Sequence, residues 1–294
     1  MSEIPAPRHV QHIPKAALYG ILTSLAIALI SVFVKIVGER ASIDAILFVR
    51  YWISFIIILP WALKKPRELL VIGSPGKLIL RSAMSLLAIF TLFLSLKSIP
   101  VGNALVLNNT YPLFIPIIAL VFHKIRTPHK MWYGIAIGFL GVIAALQPNP
   151  QSFSIGSLFA LASGIFFAFA YVMIRFMTKA FSTVQILFYN FLICGLLTIP
   201  FLPIGWVHFN WEVGLLLVLI ALLSVSYQFF STIALSKAPA RITSTFMYLS
   251  ILFGVIADYL LWDIVPNTWS FVGIFLIILG GIVTIYFGQK EMKA

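Results

Sequence analysis

The chain consists largely of long apolar runs, separated by short segments that carry most of its charged residues. A helix that crosses a bilayer needs about 20 mostly apolar residues, because the hydrocarbon core is roughly 30 Å thick. Ten runs approach this length: 17–37, 45–63, 78–96, 102–122, 131–147, 155–174, 184–204, 212–235, 242–262 and 269–287. The alternation that marks membrane β-strands is absent. The pattern predicts an all-α polytopic membrane protein with ten transmembrane helices.

Composition supports this interpretation and limits the kinds of functional site that the chain can contain. Residues of the set AVILMFWYC make up 61% of the chain and charged residues only 10%, against about 25% charged in soluble domains. The single cysteine, Cys194, excludes disulfides and Cys-based metal clusters. The histidines follow no metal-ligand spacing, and no phosphate-binding Gly-x-x-x-x-Gly-Lys motif occurs. We therefore expect no catalytic residues, no metal, no cofactor and no enzymatic activity.

The positions of the charges predict the orientation. If the N-terminus is cytoplasmic, sixteen of the twenty Lys and Arg residues, Arg81 among them, fall on the cytoplasmic side, as the positive-inside rule requires. The remaining four are Lys35, Arg40, Arg50 and Lys97. The spread of the basic residues over short segments disfavours a nucleic-acid partner. We expect a protein of the inner (plasma) membrane with cytoplasmic tails at 1–16 and 288–294.

The chain also repeats itself at a nearly constant offset of 140 residues, which becomes 139 after one dropped residue. The matching pairs include Lys35 with Arg175, Ile46-Leu47-Phe48 with Ile186-Leu187-Phe188, Pro60 with Pro200, Pro100 with Pro239 and Gly134 with Gly273. We interpret the segments 17–147 and 155–287 as two five-helix repeats. Because five is an odd number, the halves cross the bilayer in opposite senses, as they do in many secondary transporters.

Particular residues in both halves match the pattern of a known protein family. They are Lys35, Phe48-Val49-Arg50-Tyr51, the run from Ser98 to Ala104 and Tyr111-Pro112 in the first half, and the run from Ala234 to Ala240, Tyr248-Leu249, Gly273 and Leu279-Gly280-Gly281 in the second. On these residues the chain resembles the drug/metabolite transporter superfamily, in its ten-helix form with two EamA-type halves. The resemblance implies a cavity among helices 1–4 and 6–9, with helices 5 and 10 at the periphery. The implied close-packing positions are Gly134, Gly138, Gly141, Gly280 and Gly281.

The chain departs from the family pattern at two helix ends. Relatives often have a Gly-Glu pair at the ends of helices 4 and 9, where this chain has Phe122-His123 and Trp262-Asp263. Any role of that glutamate could therefore pass only to Asp263.

Charged residues inside membrane spans are costly and are candidates for function. Arg50 fits three roles: snorkelling to the outer surface, pairing with an acid inside the protein, or binding a cargo carboxylate or phosphate through its planar guanidinium. Asp258 is the one acid deep within an apolar run. Together with Lys35, which is expected at a similar depth, it fits a structural ion pair or a titrating carboxylate that couples transport to protons.

Polar residues in helix 4 are candidates for cargo contact. Asn108, Asn109 and Tyr111 lie where Pro112 and Pro116 are expected to kink the helix near mid-membrane. Each asparagine fits either an interhelical hydrogen bond or a contact with cargo.

The second half offers Tyr227 and Gln228 on helix 8 and Tyr248 on helix 9. Aromatic faces with a few hydrogen-bonding groups suit a partly apolar metabolite, so these three residues are also predicted to bind cargo.

Together these patterns predict a secondary active or facilitative transporter that moves a small polar or amphipathic metabolite by alternating access. Candidate cargoes are amino acids, S-adenosylmethionine-like molecules, nucleosides and choline-like cations, and the excess of basic residues within the spans favours a carboxylate or phosphate. Protons and a counter-substrate are the alternatives for coupling, and both a monomer and a homodimer remain open. The alternative function is a lipid or lipid-phosphate flippase of similar fold.

Overall fold

The structure is a computed structural model, and it describes residues 13–64, 66, 75–123, 130–146, 154–178, 181–204, 210–237, 243 and 246–290. In chain order the helices of this part are α1 (Ile13–Val37), α2 (Ile43–Leu63), α3 (Pro75–Leu96), α4 (Val101–Asn108), α5 (Tyr111–His123), α6 (Met131–Leu146), α7 (Ile155–Met177), α8 (Thr183–Thr198), α9 (Trp211–Lys237), α10 (Leu249–Trp262) and α11 (Thr268–Lys290). A short 3-10 helix, Ile199–Ile204, extends α8.

These helices account for the ten predicted spans. Among the described residues, seven segments are long and apolar enough to cross a bilayer, and α4 and α5 together form one of them. Three shorter apolar helices, Trp132–Ala145, Leu249–Trp262 and Thr268–Val283, correspond to the fifth, ninth and tenth runs. The predicted all-α polytopic fold is confirmed.

The fourth span is interrupted where proline was expected to bend it. α4 ends at Asn108, and α5 begins three residues later, after a turn. Pro112 has no backbone N–H and therefore cannot donate to the carbonyl of Asn108. The side-chain amide of Asn109 donates to the carbonyl of Leu105 at 2.7 Å. Tyr248 is the repeat equivalent of Asn109, and it also forms a turn, directly before α10.

Both halves begin their second helix with the same cap. The side chains of Ser42 and Ser182, which are 140 residues apart, accept hydrogen bonds from the backbone N–H groups of Ala45 and Gln185 at 3.4 and 3.3 Å. A serine at this position satisfies one of the backbone donors that a helix start leaves without a partner.

Packing between the halves follows the repeat. α1 packs on α9 and α3 packs on α7, while α2 pairs with α8, α4 with α10 and α6 with α11. Since α7 and α9 are the repeat equivalents of α1 and α3, exchanging the two halves reproduces the same contacts. This is the arrangement that a two-fold axis between inverted repeats requires.

α6 and α11 meet along faces lined by glycine. A Cβ atom at Gly280 would collide with the backbone of Gly134 and Gly138, and one at Gly141 would lie 2.6 Å from the backbone nitrogen of Ile277. Small residues allow helices in lipid to approach closely and gain van der Waals contact. The predicted close packing of these glycines is confirmed.

Asp263 ends α10 in the left-handed region, with a φ of 53°. Aspartate adopts this conformation more readily than most residues because its short side chain can bond locally. Its backbone N–H bonds back to the carbonyls of Asp258 and Tyr259, and its side chain is exposed. In this structure Asp263 therefore acts as a helix C-cap.

Candidate functional site

One face of α9 forms the centre of the site. Ser224, Tyr227, Gln228 and Ser231 recur at intervals of three and four residues, so their side chains lie along one stripe of the helix. All four residues are buried. α9 belongs to the second half of the chain, and two arginines of the first half bind this stripe.

Arg50 reaches the stripe from α2. It is 0% exposed, and its Nε donates to Ser224 Oγ at 2.6 Å. Its guanidinium lies 5.1 Å from the ring centroid of Tyr51 and 5.4 Å from that of Phe93, within range of a cation–π interaction. Among the described residues, Nη1 and Nη2 have no hydrogen-bond partner. Arg50 therefore does not snorkel to the membrane surface.

Arg81 reaches the same stripe from α3. It is 1% exposed, and its Nη2 donates to Gln228 Oε1 at 3.4 Å. Its Nε and Nη1 have no partner in the part of the chain that the structure describes. The sequence analysis counted Arg81 only among the charges of the cytoplasmic side and did not predict it as a site residue, whereas its side chain lies inside the bundle. The signal in the sequence was its position within the third apolar run rather than before it.

Aromatic rings surround these groups. The hydroxyl of Tyr171, on α7, lies 3.2 Å from that of Tyr227 and donates to Met247 Sδ at 3.4 Å. Tyr111 stacks on Tyr171, with ring centroids 5.1 Å apart and an interplanar angle of 9°. Phe167 lies edge-on to Tyr227 at 6.5 Å. The sequence analysis missed Tyr171 because it lies in an apolar run with no polar neighbour.

A small cavity of about 10 Å³ lies among these side chains. Its lining includes Arg81, Ser85, Phe167, Tyr171, Tyr227 and Gln228. Pockets for small molecules measure roughly 300–1,000 Å³, so this conformation is closed and must open to admit an organic molecule.

Among the described residues, no acidic side chain forms an ion pair with Arg50 or Arg81. Glu39, Glu212 and Asp263 are exposed, and Asp44 lies in the first turn of α2. The ion pair found in this part of the chain joins Arg40 to Glu212 at the surface, at 3.1 Å. Asp258, the remaining acid, bonds to backbone amides at another place.

Asp258 and Lys35 hold the segment that leads into α4. The two carboxylate oxygens of Asp258 accept hydrogen bonds from the backbone N–H groups of Val101 and Gly102, at 2.9 and 2.6 Å. Lys35 Nζ donates to the carbonyl of Ile99 at 3.2 Å. The two charges attract each other, but they meet through this segment rather than in a direct ion pair. The carboxylate lies at a helix start, where the helix dipole favours negative charge.

The two asparagines tie helices together. Asn108 Nδ2 donates to Ser163 Oγ of α7, and Asn109 Nδ2 donates to Ser250 Oγ of α10, both at 2.8 Å. These bonds cross between the halves and engage the amide donors. A cargo contact by either asparagine stays a prediction.

Tyr248 packs toward α11. Its hydroxyl lies against Gly281, so closely that a Cβ atom there would collide with it. The hydroxyl has no hydrogen-bond partner among the residues described. Cargo binding by Tyr248 also stays a prediction.

The arrangement offers cations, hydrogen-bond donors and aromatic faces at a place where the two halves meet. α2 and α3 contribute the arginines, while α7 and α9 contribute the tyrosines and the amide. Groups of this kind bind and orient an organic anion.

Comparisons with known proteins identify the family of the chain. The EamA-like transporter family matches residues 14–147 and 154–286. The S-adenosylmethionine uptake transporter of Rickettsia conorii is 26% identical over 260 residues, which are 88% of each chain. The pseudopaline exporter of Pseudomonas aeruginosa is 27% identical over 267 residues, or 89% of this chain and 93% of the exporter.

The fold is also found in a solved crystal structure, which has a TM-score of 0.67 at 14% identity and covers 95% of this chain and 99% of its own. Because the family match takes in both halves, the chain belongs to the EamA-like transporter family of the drug/metabolite transporter superfamily and is a multi-pass membrane transporter of a small metabolite.

Proposed function

We propose that the chain moves a small metabolite with a carboxylate or phosphate group across the inner (plasma) membrane by alternating access. The observation that carries this proposal is the pair Arg50 and Arg81. They extend from one half to α9 of the other, and some of their guanidinium nitrogens have no partner among the residues that the structure describes. A guanidinium binds either group through parallel hydrogen bonds. Inverted halves that share such a site can expose it to each side of the membrane in turn.

The contacts that must change during opening are those between the halves. Tyr171 of the second half stacks on Tyr111 of the first. Asp258 of the second half holds the start of α4 in the first. In this proposal the aromatic pair closes the cavity beside Arg81, and Asp258 with Lys35 forms a latch at the start of α4. Protons and a counter-substrate are both candidates for the driving force.

Orientation and direction belong to the proposal as well. The distribution of Lys and Arg supports cytoplasmic N- and C-termini. One relative is named an uptake transporter and another an exporter, so membership of the family is compatible with transport in either direction. We further propose that the cargo is released chemically unchanged.

A lipid flippase is supported less well. An apolar groove of about 310 Å³ runs between α2, α3 and α8, and its described lining includes Leu47, Phe90 and Phe201 but neither arginine. A lipid headgroup in this groove would therefore lack the cationic partner that a lipid-phosphate cargo needs.

Counterflow in proteoliposomes tests the proposed function. Vesicles that contain the purified chain are loaded with an unlabelled solute and placed in its radiolabelled form, for a panel of organic anions, amino acids, S-adenosylmethionine, nucleosides and choline. We expect saturable accumulation of a solute that carries a carboxylate or phosphate, recovered unaltered by chromatography. Movement of fluorescent lipid alone would favour the flippase, and chemical conversion of the solute would favour an enzyme.

A further inference from the structure

The charge balance around α9 restricts the cargo more narrowly than the presence of an arginine does. Arg50 and Arg81 are both enclosed by the bundle, with exposures of 0% and 1%. Their protein hydrogen bonds go to a serine hydroxyl and a glutamine carbonyl. These acceptors are neutral, so the hydrogen bonds leave both positive charges uncompensated.

The two arginines are anchored at neighbouring positions on the same face of α9. Ser224 and Gln228, their anchors on α9, are four residues apart, which corresponds to about 6 Å along a helix axis. The two arginines are therefore anchored about one helical turn apart on one face of α9.

Each guanidinium keeps donors for a further partner. Nη1 and Nη2 of Arg50 lie at one end of its planar group, where the two oxygens of a carboxylate can bind side by side. Arg81 keeps Nε and Nη1 without partners among the described residues, beside the cavity. The site thus presents two separate cationic groups.

Among the described residues, the other groups near the site do not supply a negative charge to the arginines. The rings of Tyr51 and Phe93 attract the Arg50 guanidinium but carry no charge. Both carboxylate oxygens of Asp258 are engaged by Val101 and Gly102. An enclosed ion without a counter-charge is expensive, so an occupant that brings two negative charges would stabilise the site most.

We propose that the cargo is a small organic dianion, which binds with one negative group on Arg50 and the other charge on Arg81. This proposal rests on the proposed function and narrows its substrate class to dicarboxylates and phosphate monoesters. A zwitterionic amino acid would bring an ammonium group into a site that already holds two cations. S-adenosylmethionine, which has one carboxylate against an ammonium and a sulfonium, would add net positive charge.

Thermal unfolding of the purified full chain with a charge series tests the proposal. Succinate, succinamate and succinamide have similar shapes but carry two, one and no negative charges, and glycerol 3-phosphate represents the phosphate monoesters. At matched ionic strength, we expect succinate or glycerol 3-phosphate to raise the Tm with an affinity at least tenfold above that of succinamate. We expect no shift with succinamide. Equal shifts for succinate and succinamate, or no shift with either dianion, would overturn the proposal.

Variants connect the charge preference to the two arginines. Arg50→Gln and Arg81→Gln should each weaken dianion binding at least tenfold and remove the preference for succinate over succinamate. If a glutamine variant does not fold, Arg50→Lys or Arg81→Lys, which keep the charge, should bind more weakly but still prefer the dianion. Arg40→Gln alters the exposed Arg40–Glu212 pair and is the matched control. A preference that survives in both glutamine variants would contradict the proposal.

Counterflow separates this inference from the proposed function. If an amino acid or S-adenosylmethionine exchanges saturably while dianions neither exchange nor compete, the dianion proposal fails and the transporter proposal stands. If solutes of every charge class cross only as fast as in protein-free vesicles, the transporter proposal itself fails. Saturable exchange of a dianion, lost in Arg50→Gln and retained in Arg40→Gln, supports both.

Discussion

A guanidinium enclosed by membrane helices without an acidic partner destabilises the cargo-free protein, since its burial is not offset. Replacing Arg81 by Met keeps most of the side-chain length and removes this charge. We expect Arg81→Met to raise the stability of the cargo-free protein, on the order of 1 kcal/mol, and to abolish transport. Thermal unfolding in detergent measures the first effect and counterflow the second.

The control for this experiment is Arg40→Met, at an exposed position, where we expect little change in Tm and normal transport. A lower Tm for Arg81→Met would mean that Arg81 is a structural anchor whose charge is compensated inside the protein.

Some residues of the site could be predicted from the sequence, and others could not. Arg50, Tyr227 and Gln228 were predicted, because a polar group in an apolar run has a cost that a function must justify. Arg81 was missed because it lies near the start of the third apolar run and was counted with the cytoplasmic charges, although its position inside that run carried the same signal. Tyr171 was missed because its importance arises from its stacking partner, which is 60 residues away in the chain.

At the scale of helices, α4 depends on a cap supplied by the other half. Asp258→Asn keeps the shape of the side chain, but its amide nitrogen cannot accept the hydrogen bond from one of the two backbone N–H groups. We expect a loss of about 1–2 kcal/mol in stability and a lower transport rate with a nearly unchanged KM, because the start of α4 is released while the arginines stay in place. Thermal unfolding and initial rates of counterflow measure these effects.

Asp263→Asn is the matched control, since Asp263 is exposed and asparagine also adopts the left-handed conformation. Normal stability and normal transport in Asp258→Asn would rule out the latch. Loss of pH-dependent uptake in that variant alone would instead favour proton coupling through Asp258.

The pairing of α6 with α11 depends on close backbone approach. Gly280→Ala would force its Cβ against the backbone of Gly134 and Gly138, and such overpacking costs about 1–3 kcal/mol. We expect a lower Tm with little change in KM for the fraction that folds, because these helices do not carry the arginines. Gly76→Ala is the control, since a Cβ there meets nothing within 4 Å. An unchanged Tm in Gly280→Ala would argue against this packing.

The elements themselves were largely predictable, because a membrane span must satisfy its backbone within a helix and keep its exterior apolar. Apolar runs therefore gave the ten segments, and Pro112 indicated the bend in the fourth. The hydrogen bonds across that bend, from Asn109 to Ser250 and from Asn108 to Ser163, could not be predicted. They depend on which helices are neighbours, and that information lies in the packing.

At the scale of the whole molecule, the inverted repeat predicts on which side of the membrane each helix ends, and chemical labelling can measure this. α3 and α9 are repeat equivalents, so in inverted halves their C-terminal ends must lie on opposite faces of the membrane. Both ends carry an exposed lysine, Lys97 after α3 and Lys237 in the last turn of α9. Since Cys194 is the single cysteine and is buried, a Cys194→Ala background isolates any introduced thiol.

In intact cells we expect a membrane-impermeant maleimide to modify Lys97→Cys and to modify Lys237→Cys only after permeabilisation. Glu39→Cys, in the exposed turn after α1, should behave like Lys97→Cys, since α1 and α3 end on the same side. Modification of Lys97→Cys and Lys237→Cys from one side would contradict the inversion. The site combines arginines of one half with tyrosines of the other. Without inversion, a symmetric motion of the two halves could not expose this site to one face of the membrane and then to the other.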